Sequence, residues 1–371
     1  MKTYLLYLGL LIVSFWSCKE SKKTMDVAQY QCVPCDLSCD KEVFDHEGKC
    51  PHCNMALVPI ADEDFSIDKL TLHQGPGSFP MQVKTESGPK DIYVFYHMPE
   101  NFDSESKVLI VIPGSGRNGD DYRDAWIRAS EKHNVLVLAP IYPEPTFGFD
   151  QYHLGGVLTD LNIMEIATPV KGTNQVRLDE SLLQYKTVPN SEFWIFDDMD
   201  HIFNAAVKAT GAHAKTYDVF GHSAGGQILH RFAIFHPESK ANRILAGNSG
   251  FYTLPDLEHP LFFGLGESPV NTKSLIKSFK NKLVVFLGEK DNASETGGTL
   301  LLSPTANLQG HHRLERGHYF YNFSKKLADS LQTDFQWKLH VVPGVGHEYK
   351  KMSAAAAEYL YSLDTIRKKV Y

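Results

Sequence analysis

Hydrophobic and polar positions along this chain follow two periods in alternation. From about residue 90, short runs of β-branched and other apolar residues close on turn residues and give way to stretches with helical spacing. Strands are predicted over 107–112, 135–139, 217–220, 244–246, 283–287 and 339–342, and helices near 120–133, 197–210, 224–235, 319–331 and 348–363. That alternation predicts an α/β class, a mostly parallel sheet with helices on both faces. Two connections are long, 141–196 and 292–317, and both leave carboxyl ends of strands, where open α/β sheets bind ligands. Asp197, Asp198 and Asp200 open one helix, a placement its dipole favours without any metal.

The longest apolar run, 4–16, is shorter than the ~20 residues of a spanning helix. Lys2 precedes it and Ser17-Cys18 end it, giving the charged, apolar and small-residue parts of an export signal. Phe15-Trp16-Ser17-Cys18, followed by polar Lys19 to Lys23, resembles a bacterial lipoprotein signal. The resemblance implies a signal peptide at 1–17, a lipid on Cys18, a tether over 18–29 and an envelope protein anchored to the membrane without spanning it. An ordinary cleaved signal with an incidental cysteine is the alternative. The whole sequence is 43% hydrophobic and 22% charged, a composition that folds rather than stays disordered. The net charge of -7 supplies no electrostatic reason to bind nucleic acid.

Five cysteines crowd between 32 and 53, and none follows. Cys32-x2-Cys35 and Cys50-x2-Cys53 are two knuckles at a spacing close to that of zinc ribbons, which gather four thiolates around a tetrahedral ion. A module of about 30 residues is too small to fold on its core alone and needs such a staple. Disulfides are the competing reading for an exported protein, while Cys50-Pro51-His52-Cys53 lacks the framework of a redox site. Residues 30–60 also resemble the heavy-metal-binding domain of exported metal-handling proteins, through Tyr30, Cys32, Gly48-Lys49-Cys50-Pro51, Cys53, Met55 and Leu57-Val58-Pro59. Val33-Pro34-Cys35 stands where that family usually has Met-His-Pro, and Cys39 is added, so the ligand set and the metal stay open between zinc and another soft ion. Cys32, Cys35, Cys50 and Cys53 are the expected ligands, and the module is expected to be separable, so that deleting 19–60 leaves hydrolysis of a small ester intact.

Gly221-His222-Ser223-Ala224-Gly225 matches G-x-S-x-G, a pattern that chance alone places in about one chain in ten of this length. Its position decides the matter. A strand precedes it and a helix follows, the context of a nucleophile elbow. A serine hydroxyl needs a base, and the base an orienting carboxylate. Downstream, Asp291 follows one predicted strand and His347 follows the next, with Glu289 and Asp256 as lesser carboxylate candidates. The oxyanion donors are expected to be Ala224 N–H and Ser115 N–H, the latter from the small-residue loop Pro113-Gly114-Ser115-Gly116; Gly116 is the alternative.

With those motifs in place, residues 75–371 resemble the α/β-hydrolase superfamily, and within it the extracellular feruloyl-esterase and polyhydroxybutyrate-depolymerase-like carboxylesterases. The resemblance implies acyl transfer on a small-molecule or polymer-linked ester, with Ser223 as nucleophile, His347 as base, Asp291 as its orienter, and no cofactor for catalysis. A serine peptidase with the same triad, or a metal-binding lipoprotein whose hydrolase fold is only a scaffold, are the alternatives. Pro140, Ile141, Tyr142, Pro143, Phe147, Phe149, Tyr152, His153 and Trp194 suit either an aromatic or sugar ester pocket or plain core packing.

Overall fold

The computed structural model describes residues 29–60 and 65–368; the proposed signal, Cys18 and most of the tether lie outside the described residues. Along the chain, β1 (Tyr30–Cys32), β2 (Val43–Phe44) and β3 (Leu57–Pro59) form a small antiparallel sheet in the order β2-β1-β3. The hairpin β4 (Gly75–Thr85) and β5 (Gly88–Met98) follows, then β6 (Lys107–Ile112), α1 (Gly119–Asp124), α2 (Ile127–His133) and β7 (Val135–Ile141). The first long connection holds α3 (Phe149–His153), β8 (Leu158–Thr159), α4 (Ile163–Ile166), β9 (Ala167–Pro169), β10 (Gln175–Leu178) and β11 (Lys186–Thr187). Next come α5 (Ile195–Thr210), β12 (Tyr217–His222), α6 (Ala224–Phe235), β13 (Ala241–Gly247), α7 (Thr272–Phe279) and β14 (Leu283–Gly288). The second long connection holds β15 (Leu300–Leu302) and α8 (Pro304–Gln309), before α9 (Arg313–Ser330), β16 (Lys338–Val342) and α10 (Tyr349–Lys368).

Eight strands build the central sheet in the order β16-β14-β13-β12-β6-β7-β5-β4. Pairing is parallel from β16 to β7, and antiparallel for β7 with β5 and β5 with β4. Continuous apolar runs such as Val108–Ile112 and Leu283–Leu287 are buried on both faces, as strands covered by helices require. α5 is amphipathic: Ile195, Met199, Ile202, Phe203 and Ala206 face the core, and Gly211, at φ +69°, ends it in the left-handed region. The predicted strands and the helix opening at Ala224 appear where the pattern placed them. The hairpin β4–β5 and the helix α7 were not among the expected elements. β4 lies at the sheet edge, where Pro76 and Pro80 are tolerated but mask the strand pattern.

The cysteine-rich module is docked on the sheet, not tethered beside it. Strand alternation divides its side chains: Cys32 and Leu57 turn inward to the thiols, while Val33, Ala56 and Val58 pack with Tyr93, Phe95 and Tyr122 of the large domain. Val33 and Val58 are fully buried there, each a burial worth ~1.5–3 kcal/mol. Lys49 adds ion pairs with Asp120 and, at 3.3 Å, Asp121 of α1, and Gln31 Nε2 donates to Tyr93 OH at 3.3 Å. Deleting 19–60 would therefore uncover part of the large domain's own apolar face.

The three acidic residues that open α5 take different partners, and none joins a group able to hold a metal among the described residues. Asp200 accepts from Tyr217 OH at 2.7 Å, and Asp197 faces His236 at 3.2 Å. Asp198 accepts from Tyr142 OH at 3.0 Å, and burial, outweighing that bond, lifts its carboxyl from 3.8 to about 7. Because the unfolded chain gives up this proton near 3.8 and the folded chain keeps it to about 7, stability from this group falls as pH rises through that window. Asp198→Asn should therefore change stability little near pH 4 and raise it increasingly toward pH 7, above which the gain levels off, by on the order of a few kcal/mol at most. Thermal melts at both ends of the window check this, and an equal shift at every pH would contradict it.

Candidate active site and metal centre

β12 delivers Ser223 into a sharp turn before α6, at φ +59° and ψ −114°, a region that non-glycine residues occupy only under constraint. The flanking glycines show the constraint. A Cβ on Gly221 would collide with the Gly225 carbonyl, and one on Gly225 with the Ile112 carbonyl at the end of β6. Ser223 N–H donates to Gly247 O at 2.9 Å, pinning the turn to β13. The serine Oγ is partly exposed at the carboxyl edge of the sheet.

Two further strand ends bring their residues to it. His347 Nε2 lies 3.0 Å from Ser223 Oγ, and His347 Nδ1 lies 2.7 Å from Asp291 Oδ2. Asp291 is buried, and its other oxygen accepts from Arg313 Nη1 at 3.0 Å. Of the lesser carboxylate candidates, Glu289 accepts Gly344 N–H at 2.7 Å and Asp256 pairs with His259 at 2.7 Å, so neither faces His347. The His222 ring lies tilted 4.6 Å from that of His347, and burial, reinforced by the neighbouring His347 and Arg313, holds it far below 6.5 and so neutral.

The loop after β6 passes against the serine, where a Cβ on Gly114 would sit 3.6 Å from Ser223 Cβ. Tyr152 OH donates to Pro113 O at 2.8 Å, and Arg117 Nη1 donates to Tyr142 O and Phe147 O at 2.6 and 2.5 Å, which anchors the loop at both ends. Ser115 and Gly116 follow Gly114 on the exposed side. Ala224 opens α6, where the first N–H groups have no intrahelical acceptor. Of the aromatic residues of the first long connection, Tyr142, Phe147, Tyr152 and Trp194 are core, and Phe149 stacks on His153 at 4.2 Å in a half-buried position.

In the module, Cys32, Cys39, Cys50 and Cys53 hold their sulfurs within 4.8 Å of one another. Four thiolates at Zn–S bonds of 2.3 Å stand ~3.8 Å apart, so this set fits a tetrahedral soft ion. This set differs from the expected quartet at one position, with Cys39 in place of Cys35. The turn at Asp36 (φ +63°) and the short helix Ser38–Lys41 carry Cys39 into the cluster with no exposure. Cys35 is left at its rim, its Sγ donating to Asp40 Oδ1 at 3.1 Å and 3.6 Å from Cys39 Sγ. Cys35 still belongs to a second, overlapping set with Cys32, Cys39 and Asp40. All five are free thiols. Burial raises Cys32 far above 9.0 and Cys39 to about 12, whereas at Cys53 hydrogen bonds from Cys32, Met55 and Cys50 outweigh burial and bring the thiol to about 7. Loading a metal must expel those protons, so it tightens as pH rises.

Poly(aspartic acid) hydrolase-1 from Sphingomonas sp. KT-1 shares 32% identity with this chain over 77% of it and 98% of the Sphingomonas chain, at a TM-score of 0.65. The chain belongs to that hydrolase family. A poly(3-hydroxybutyrate) depolymerase from Bordetella parapertussis is similar at 26% identity, covering 81% of this hydrolase and 94% of the other chain at a TM-score of 0.69. Residues 29–60 match the heavy metal binding domain family. No curated protein matches the sequence.

Four residues around the hydrolase's serine carry no motif. Asn248 is buried, donates to Gly346 O at 3.0 Å and accepts Gly288 N–H at 2.7 Å, tying the Asp291 and His347 loops together. Glu295 Oε2 accepts His347 N–H at 2.7 Å. Arg313, besides gripping Asp291, donates to Thr299 O at 3.0 Å. Asn174 of the first long connection donates to Gly298 O at 2.9 Å, and Gly298 lies so close to the His347 ring that a Cβ there would stand 2.7 Å from Nε2. The two long connections thus meet over the histidine, joined also by the parallel pair β10 and β15.

The thiol geometry makes a prediction about metal retention. Cys39→Ser should weaken zinc binding by more than the ~10- to 100-fold that follows loss of an outer-shell partner, and Cys35→Ser should stay within that range. Competition titration with a chromogenic chelator measures both, and the reverse order would restore Cys35 as a ligand.

Proposed function

We propose that this hydrolase is exported, anchored by a lipid on Cys18, and cleaves carboxylic esters through an acyl-enzyme on Ser223. The observation that carries the reading is the run of two short contacts, 3.0 Å from Ser223 Oγ to His347 Nε2 and 2.7 Å from His347 Nδ1 to Asp291. With Nδ1–H donated to the carboxylate, Nε2 holds the lone pair that accepts the serine proton. Ser223 Oγ then bonds to the ester carbonyl carbon. In this reading the oxyanion is received by Ala224 N–H and Ser115 N–H, since backbone donors aimed where charge develops stabilise it. Collapse breaks the C–O bond, and His347 returns the proton to the departing alkoxide. A water molecule, deprotonated by His347, repeats the addition on the acyl-enzyme and releases the acid. Asp291 keeps its charge and fixes the imidazole, and a neutral His222 adds no positive charge beside it.

The anchor rests on the pattern ending at Cys18 and on the polar stretch after it. No helix among the described residues is long and apolar enough to cross a membrane. For the metal centre, Cys32, Cys39, Cys50 and Cys53 would hold zinc through four thiolates, and what the ion would supply there is folding energy. Amide cleavage is a second reading, favoured by the likeness to a hydrolase of poly(aspartic acid), a polymer joined by amides. The same residues serve it, with His347 delivering the proton to an amine.

Ser223→Ala should keep the fold and lower turnover of p-nitrophenyl acetate by at least ~10⁴-fold, while Ser115→Ala, whose backbone N–H remains, should lose less than ~3-fold. A fluorophosphonate should label Ser223 in the wild type. Turnover retained in the Ser223 variant would sink the mechanism, and faster hydrolysis of aspartyl amide polymer than of any ester would select the second reading.

A further inference from the structure

The module and the large domain enclose a cavity of about 370 Å³ along their seam, within the size range of small-molecule sites. Val33, Pro34 and Met55 form its module wall, and Gly116, Ile141 and Pro145 its opposite wall. Among the described residues, the other large cavities at β4 and at the end of the module take in no residue of the loop that passes Ser223. This one does. A Cβ on Gly114 would stand 3.6 Å from Ser223 Cβ, and Gly116, two residues on and at most ~7.6 Å of chain away, lines the cavity. A substrate with its carbonyl at Ser223 has the seam within reach of an arm laid along that loop.

The walls also state what kind of arm. They are mostly apolar, and the exposed Asp36 and Glu144 put carboxylates at the rim. The one cation in the lining, Arg117, has its guanidinium committed to the carbonyls of Tyr142, Phe147 and Gly148 and stacked on Tyr152. An anionic chain finds no exposed cation among the lining residues and meets two like charges, whereas an uncharged alkyl or similar apolar arm is taken out of water.

We propose that this seam is a substrate subsite for an uncharged apolar arm of the ester, with the metal-binding module supplying one wall, so that the module sets chain-length preference without touching the reacting atoms. The proposal rests on the ester reading above and deepens it. Each methylene that the seam withdraws from water is expected to give about a fourfold preference.

The test uses the full chain with its metal. Pro145 is exposed and outside the catalytic machinery, so Pro145→Trp should fill the seam without disturbing the fold. It should lower kcat/KM for n-hexyl acetate at least ~10-fold and leave ethyl acetate within about twofold. In the Ser223→Ala protein, the ¹³C-methyl resonance assigned to Met55 should shift on titration with 1-hexanol and not with ethanol. An unchanged hexyl-to-ethyl ratio overturns the proposal, as does an equal loss on both esters, which would place the effect at the catalytic centre. If the wild type turns over no ester at all, the ester reading fails instead, and the Met55 resonance still decides the subsite: a shift with 1-hexanol supports it and no shift overturns it.

Discussion

The close approach of three backbone segments at one point governs this site. The end of β12, the start of α6 and the end of β6 come so near that Gly221 and Gly225 leave no room for a Cβ. That contact holds Ser223 at φ +59° and turns its hydroxyl out of the sheet edge. The strain is held in place by the fully buried strand on one side and the fully buried helix on the other, and by the bond from Ser223 N–H to Gly247 O. Without such packing a serine at this dihedral would relax and lose its direction.

The histidine and aspartate sit on loops, and loops need to be immobilised before distances near 3 Å persist. Here the work falls to buried polar side chains that satisfy backbone groups. Asn248 bridges the ends of β13, β14 and the histidine loop, Glu295 takes His347 N–H, and Arg313 binds Asp291 and Thr299 O together. A buried charge pair such as Arg313–Asp291 is retained only where hydrogen bonds complete it, and Arg313 directs its second guanidinium nitrogen accordingly.

The docked module changes how the two parts of the chain relate. Its inward residues hold the metal-fitting thiols, and its outward residues, one position along the same strands, complete the sheet's apolar face. Lys49 reaches α1 through Asp120 and Asp121, and Tyr122 of that helix packs its hydroxyl toward Gly114 and His222. Metal folding and the active-site loop therefore share a physical connection, although no thiol is near the serine in the sequence.

The chemistry was legible wherever it depended on residue type at short spacing. G-x-S-x-G between a strand and a helix, a carboxylate and a histidine each just past a later strand, and two cysteine knuckles could all be read, because local turns and strand ends place those side chains with little help from elsewhere. The sheet's parallel core was legible for the same reason, its strands being apolar on both faces. The proline-bearing edge strand β4 hides its pattern, and the start of α9 falls inside the predicted 292–317 connection, so nothing in the pattern marks Arg313 as a partner of Asp291. Choosing Cys39 over Cys35 needed a positive-φ turn at Asp36 that spacing does not encode. The docking of the module, the meeting of Asn174 with Gly298 and the seam beside Gly116 needed contacts between residues far apart in the chain. One sequence by itself determined which residues are candidates for the site and which strands would be buried. Only the tertiary structure decided what surrounds them, because the packing of distant surfaces depends on shape and not on any pattern within one segment.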